Sequence, residues 1–319
     1  MLHLRIITPA VRTDAVLDLI DSTVGTTHLA VLKGVAREPE GDIVLVDVAR
    51  EAGDGLLQGL RQLDIDKVGS IAVENVDLSL SDRAERAEEE APGEAADAVI
   101  WEQITETTQE ESTLTIAYAA LMIVATMIAA CGVVLDNAIL IVGAMAVGPE
   151  FGPLAGISTS LVRRDRRGVF RSSVALVVGF AAAIVATTVF SLVMDAMGQF
   201  ERGMLEADRP NTGFIFQPDP FSFVVALLAG VAGVVSMTSS KAGVLVGVAI
   251  SVTTVPAAAN AAVALSYGDL GQMWGSAEQL LLNLTGIIVA GVLTLIAWKL
   301  LWRTQQGRMT RPPGAPRKY

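Results

Sequence analysis

Two long hydrophobic segments, each interrupted near its middle, limit what this chain can fold into. Residues 138–158 read AILIVGAMAVGPEFGPLAGIS and residues 242–265 read AGVLVGVAISVTTVPAAANAAVAL. Each is long enough to cross a bilayer, which takes about 20 apolar residues. The first nevertheless holds Pro149, Glu150 and Pro153, and the second holds Pro256. Proline removes a helix hydrogen bond and clashes with the preceding turn, so each segment is predicted to unwind or kink there. Lipid cannot satisfy freed backbone groups, so such a break survives only inside protein or against a polar cavity. Broken segments at matching places in two halves of a membrane protein mark a substrate pathway.

Composition places these segments in a chain of two parts. Hydrophobic residues make up 52% of the 319 positions, and the mean hydropathy is +0.52. Residues 1–112 hold 24 acidic and 9 basic side chains, whereas residues 113–319 hold 10 acidic and 14 basic. An acidic soluble part therefore precedes a membrane part. The acidic part repels phosphate backbones and anionic headgroups, which argues against nucleic acid and against peripheral lipid binding. The first long apolar run starts only near Leu114, so no signal peptide is read at the start of this sequence. Cys131, the lone cysteine, sits in an apolar run and reads as buried filler.

Residues 1–80 alternate in a β-α-β-β-α-β order. LHLRIIT, HLAVLKGVA, IVLVDVA and GSIAVENVDL read as strands, with amphipathic helices over AVRTDAVLDLID and Glu51 to Leu63. That order predicts an α+β ferredoxin-like sandwich on the cytoplasmic side. Its element order resembles ACT-like and PII-like domains, which implies a regulatory nucleotide or amino acid bound between subunits. Thr26, Thr27 and His28, entering the second strand, are the positions that would line such a pocket; a simple glycine turn is the plainer reading. The only histidines, His3 and His28, have no nearby cysteine and give no metal-site pattern. Residues 81–112 read as an acidic linker, followed by a short amphipathic helix around Val99, Ile100, Trp101 and Ile104.

Residues 113–302 are predicted to form six spans: 114–135, 138–161, 172–197, 221–237, 242–266 and 280–302. Arginines 163, 164, 166, 167 and 171 follow the second, Lys241 the fourth, and a basic tail over residues 303–319 the sixth. The loops after the third and fifth spans are mostly acidic. The positive-inside bias then puts both termini in the cytoplasm of a multi-pass plasma (inner) membrane protein. Three spans per half would give the halves opposite topology, a 3+3 inverted repeat. Aligning Val142-Gly143-Ala144 with Val246-Gly247-Val248 sets Glu150 opposite Thr254. Small-residue pairs Gly152/Gly156, Ala229/Gly233 and Gly243/Gly247 suit close helix packing.

Glu150 is the sharpest single residue. An acid within a span must face a cavity, a partner or a proton. With Pro149, Gly152 and Pro153 around it, it is read as a coordinating or proton-linked group on a transport path. Solvation at the cytoplasmic edge, or pairing with the nearby arginines, is the structural alternative. Thr253, Thr254, Pro256 and Asn260 from the other broken span, and Asn283 from the sixth, complete the path candidates. No P-loop, HExxH, histidine–cysteine cluster or nucleophile elbow is present, so the chain reads as no enzyme and needs no cofactor.

The strings GAMAVGPEFGPLAG, GVAISVTTVPAAAN and LLLNLTGI resemble the membrane motifs of the bacterial family of domain of unknown function 389, the uncharacterised hydrophobic domain proteins. GDIVLVDVAREAGDGLLQGL and GSIAVEN resemble the N-terminal part of its longer members. The resemblance covers the whole chain but supplies no activity. The expectation is a homo-oligomeric (dimeric) transporter or channel for a small solute or ion, regulated by its cytoplasmic domain. The alternative is a membrane-anchored sensor or assembly protein without flux.

Overall fold

A computed structural model describes residues 1–76, 78–93, 100–217, 219–238, 248 and 252–306. The chain divides into two compact units, residues 1–102 with 298–319 and residues 103–297.

In the first unit the strands are β1 (Leu2–Thr8), β2 (Thr26–Arg37), β3 (Glu40–Val48) and β4 (Ser70–Asn75). They form one antiparallel sheet in the order β2-β3-β1-β4. Helices α1 (Thr13–Ser22), α2 (Arg50–Gln62) and the short α3 (Ile65–Val68) lie between the strands in sequence. The cause is period-2 patterning: Leu2, Leu4 and Ile6 of β1 and Val44, Val46 and Val48 of β3 are buried on one face. Val16 and Ile20 of α1 and Leu56 and Leu60 of α2 join that core. Helix α4 (Asp82–Glu90) occupies the stretch expected to be an acidic linker. Helix α5 (Trp101–Glu111), most of which belongs to the second unit, falls where a short amphipathic helix was expected; Val99 lies outside the described residues. Ser81 caps α4 by accepting from the Arg83 amide, so this charge-rich sequence has a conventional helix start.

The second unit is helical. Its elements are α6 (Ile116–Val134), α7 (Ala138–Val147), α8 (Phe151–Arg163), α9 (Arg166–Ala196), α10 (Arg202–Glu206), α11 (Pro220–Thr238), α12 (Thr254–Ser266) and α13 (Leu270–Gln306), the last running on into the first unit. Among the described residues, four helices are long and apolar enough to cross a membrane: α6, α9, α11 and α13. The α7–α8 pair, bent by 52°, makes a fifth if taken as one broken span. Of the fifth expected span, 242–266, only the second half is described as a regular helix, α12. Residues 239–247 and 249–251, with the Gly243/Gly247 pair and most of the matching 246–248 string, lie outside the described residues.

Short turns fix the helix ends. Asn137 caps α7 by accepting from the amides of Ile139 and Leu140. Asp165 caps α9 by accepting from Arg167. Glycines set the closest approaches between helices: a Cβ on Gly230 would meet the Ile287 carbonyl and Ala290, and one on Gly286 would meet Ala226. Gly233 lies under the Phe151 ring. That gives Gly233, of the Ala229/Gly233 pair, a packing role between α11 and the start of α8.

Candidate functional site

The break in the first segment falls at residues 148–150, between α7 and α8. The prolines do not kink a helix here. Pro153 is the third residue of α8 and Pro256 the third residue of α12. A first-turn N–H has no intrahelical acceptor, so a proline there costs no hydrogen bond and marks a helix start. Of the expected unwinding or kinking, the first segment does break, at residues 148–150 with a bend of 52°, but Pro153 and Pro256 lie in first turns and kink no helix. Pro149 alone lies within the break itself.

Both helix starts converge on Glu150. It occupies the N-cap position of α8 and is only 3% exposed. Thr254, the first residue of α12, donates its hydroxyl to Glu150 Oε1 at 2.7 Å. The sequence alignment that set Glu150 against Thr254 thus names two residues in direct contact. Counted from the helix starts, the prolines match with an offset of one residue from that alignment. Glu150 Oε2 has no hydrogen-bond partner among the described residues. A Cβ on Gly148 would collide with Oε2 and lie 2.8 Å from Val255 Cγ2, so only glycine fits beside the carboxylate. Helix N-termini carry partial positive charge, which favours a carboxylate at this point.

The space around Glu150 is small. A cavity of about 10 Å³ lies against Glu150 and Thr254, with Phe151, Leu154, Val252 and Ile287 supplying much of its wall. That is at the lower limit for one water molecule. The buried Tyr118 hydroxyl of α6 likewise finds no partner among the described residues.

The other expected path residues fall in three places. Gly152 is set by packing: its Cβ would meet Glu111 at 2.7 Å, and its carbonyl accepts from Ser112. Thr253 sits at the N-cap of α12 and accepts from Asn283 Nδ2 at 3.1 Å. Asn260 is not beside Glu150. Its Oδ1 accepts from Arg209 Nη1 at 2.9 Å, and its Nδ2 donates to Ser276 at 2.8 Å.

Arg209 was not singled out by the sequence, where it looked like a loop charge. It is 5% exposed, donates also to Gln272 Oε1 at 2.7 Å, and stacks over Phe216 at 5.0 Å. Burial pushes its pKa down, and the carboxylates of Asp136 and Asp269 push it back up. A hint was available: Asn260, Gln272 and Ser276 are polar residues inside apolar stretches, and such groups need partners.

In the first unit, the candidate ligand residues are tied to their own domain. Thr26 donates to the carbonyls of Ile20 and Thr23. His28 sits at a β-bulge with φ 49°, which turns its ring onto the face of Asp47. Its Nδ1 lies 2.7 Å from Asp47 Oδ2 and its Nε2 2.9 Å from Ser81 Oγ, while His3 Nδ1 lies 2.6 Å from Asp47 Oδ1. Thr27 pairs in register with Asp47. Thr26 is buried, whereas His28 and its contacts with Asp47 and Ser81 are exposed.

Residues 145–289 match the family model described as "Domain of unknown function (DUF389)". This stretch is similar to that family. It contains every expected path residue from Pro149 to Asn283 and excludes the β-sheet unit. The chain is also similar to an uncharacterised protein of Methanocaldococcus jannaschii, 22% identical over 225 residues, which cover 69% of this chain and 68% of that protein. That relative is archaeal, so the matches support the DUF389 assignment without confining the family to bacteria. No solved structure matches the chain.

Proposed function

We propose that the protein is a homo-oligomeric transporter or channel for a small solute or ion, with its path at the break beside Glu150. The observation that carries this is one constellation. Two apolar segments begin helices at the same buried spot, and an acid and a threonine from them meet there. One carboxylate oxygen remains without a partner among the described residues. A buried acid between half-helices is costly and is kept where an ion or proton must be met. In this reading the chain has six spans, the second and fifth broken, related as a 3+3 inverted repeat. Both termini lie on the cytoplasmic side of the plasma membrane.

The first unit is read as a ferredoxin-like domain, supported by its β-α-β-β-α-β order and its antiparallel strand order. It would regulate the path by binding a metabolite or nucleotide better in one conformation than in the other. The alternative is a membrane-anchored sensor or assembly protein without flux. The narrow, mostly apolar cavity at Glu150 favours that alternative.

Proteoliposome flux separates the two. Across a panel of monovalent ions and small metabolites, the transport reading expects a flux that Glu150→Gln or Thr254→Val lowers at least tenfold. Silence across the panel, with the variants folded as the parent, overturns it in favour of the alternative.

A further inference from the structure

Helix α13 is apolar, yet Gln272, Ser276, Gln279 and Asn283 recur on it at spacings of four, three and four. That spacing places all four on one face. Two of them form rungs to α12. Ser276 accepts from Asn260, and Asn283 donates to Thr253. On each helix the two rungs lie seven residues apart, which is about 10 Å of rise. The upper rung continues to Arg209, which binds both Asn260 and Gln272. The lower rung ends at Thr253, whose neighbour Thr254 donates to Glu150.

Gln279 falls between the rungs. It is 1% exposed, and its Oε1 has no partner among the described residues. Midway between Thr253 and Asn260, α12 carries Pro256 and Ala257, neither of which has a side-chain donor. Bonding between helices accounts for the two rungs. It accounts neither for Gln279 Oε1 nor for the free oxygen of Glu150. A buried acceptor left unpaired is costly, and native proteins usually satisfy one with a protein group or ordered water. Gln279 Oε1 is an acceptor, so its missing partner is a donor, and the Glu150 oxygen can accept from a water or, when protonated, donate to one.

We propose that the α12–α13 interface is a hydrated route, a file of waters from the Arg209 end of the bundle to Glu150, and that Gln279 binds the water bridging its gap. The route takes Glu150 as its destination from the transport reading; its hydration rests on Gln279.

Cysteine accessibility tests this in liposomes. With Cys131→Ala as background, Gln279→Cys and Thr253→Cys are exposed from each side to a small, membrane-impermeant cationic methanethiosulfonate. Leu281→Cys, exposed on the bundle surface, is the control. Expected is modification of Gln279→Cys at least tenfold faster than Leu281→Cys. Adding Gln279→Leu should slow modification of Thr253→Cys from the Arg209 side at least fivefold. If Gln279→Cys reacts no faster than the control in protein that melts as the parent, or if Gln279→Leu leaves Thr253→Cys unchanged, the route is overturned. Fast labelling with no flux sinks the transport reading and keeps the route. Flux with an unreactive Gln279→Cys does the reverse.

Discussion

At the scale of single residues, the carboxylates show how local partners decide what an acid does. Glu150 has a single hydroxyl donor and a second oxygen for which there is no room beside a larger neighbour. Gly148→Ala should therefore push the carboxylate off Thr254. An overpacked core site of this kind costs about 1–3 kcal/mol. Thermal unfolding in detergent should show that loss, and an unchanged melting temperature would mean the break relaxes freely. Asp42 in β3 behaves differently. The Thr13 hydroxyl and the Gly34 amide hold its carboxyl below the usual value of 3.8, against a smaller upward push from burial. A depressed folded pKa adds stability that is fully present above 3.8 and is lost as pH falls through the folded value. Thr13→Val should raise that pKa, so the pH at which residues 1–76 become protease-sensitive should move up. If this acid midpoint stays put, the hydroxyl is not what holds Asp42.

Helix starts, at the scale of elements, explain the broken segments better than kinks do. Pro153 and Pro256 occupy positions where an N–H would be unpaired in any helix. Replacing either with alanine should change stability by no more than about 1 kcal/mol, because no hydrogen bond is regained and only chain stiffness is lost. A proline placed at Ala183, buried in the middle of α9, should cost about 3 kcal/mol or more. Comparing melting temperatures of the three variants checks this. Equal losses at all three would show that Pro153 and Pro256 do act inside continuous helices. The bend between α7 and α8 owes more to Gly148 and Pro149 before the helix start than to the prolines after it.

At the scale of the whole molecule, the two units have cores of different kinds. Leu4, Val46 and Leu56 form a core with a single buried sheet face. In the helical unit, alanines and glycines bring backbones close, as at Ala257, Ala259 and Gly286. Leu4→Ala, at a fully buried position, should cost the first unit about 2–5 kcal/mol. In detergent, it should lower the first of two unfolding transitions while the helical signal of residues 103–297 persists at its parental temperature. A single transition displaced as a whole would show that the units unfold together.

Much of this was legible in the sequence because it depends on local periodicity. The alternation in LHLRIIT and IVLVDVA determined the strands and their buried faces, and the apolar runs determined α6, α9, α11 and α13. Glu150 stood out because a charge in an apolar run has no local partner. The bond from Thr254 to Glu150 was legible only as an alignment of two segments, 104 residues apart. Tertiary structure decided the rest. A side chain's partner across a helix interface depends on rotation and register, which a one-dimensional pattern leaves open. That is why Asn260 turned from Glu150 to Arg209, why Arg209 is buried though it lies in a loop, and why Gln279 became the unpaired member of an otherwise bonded row.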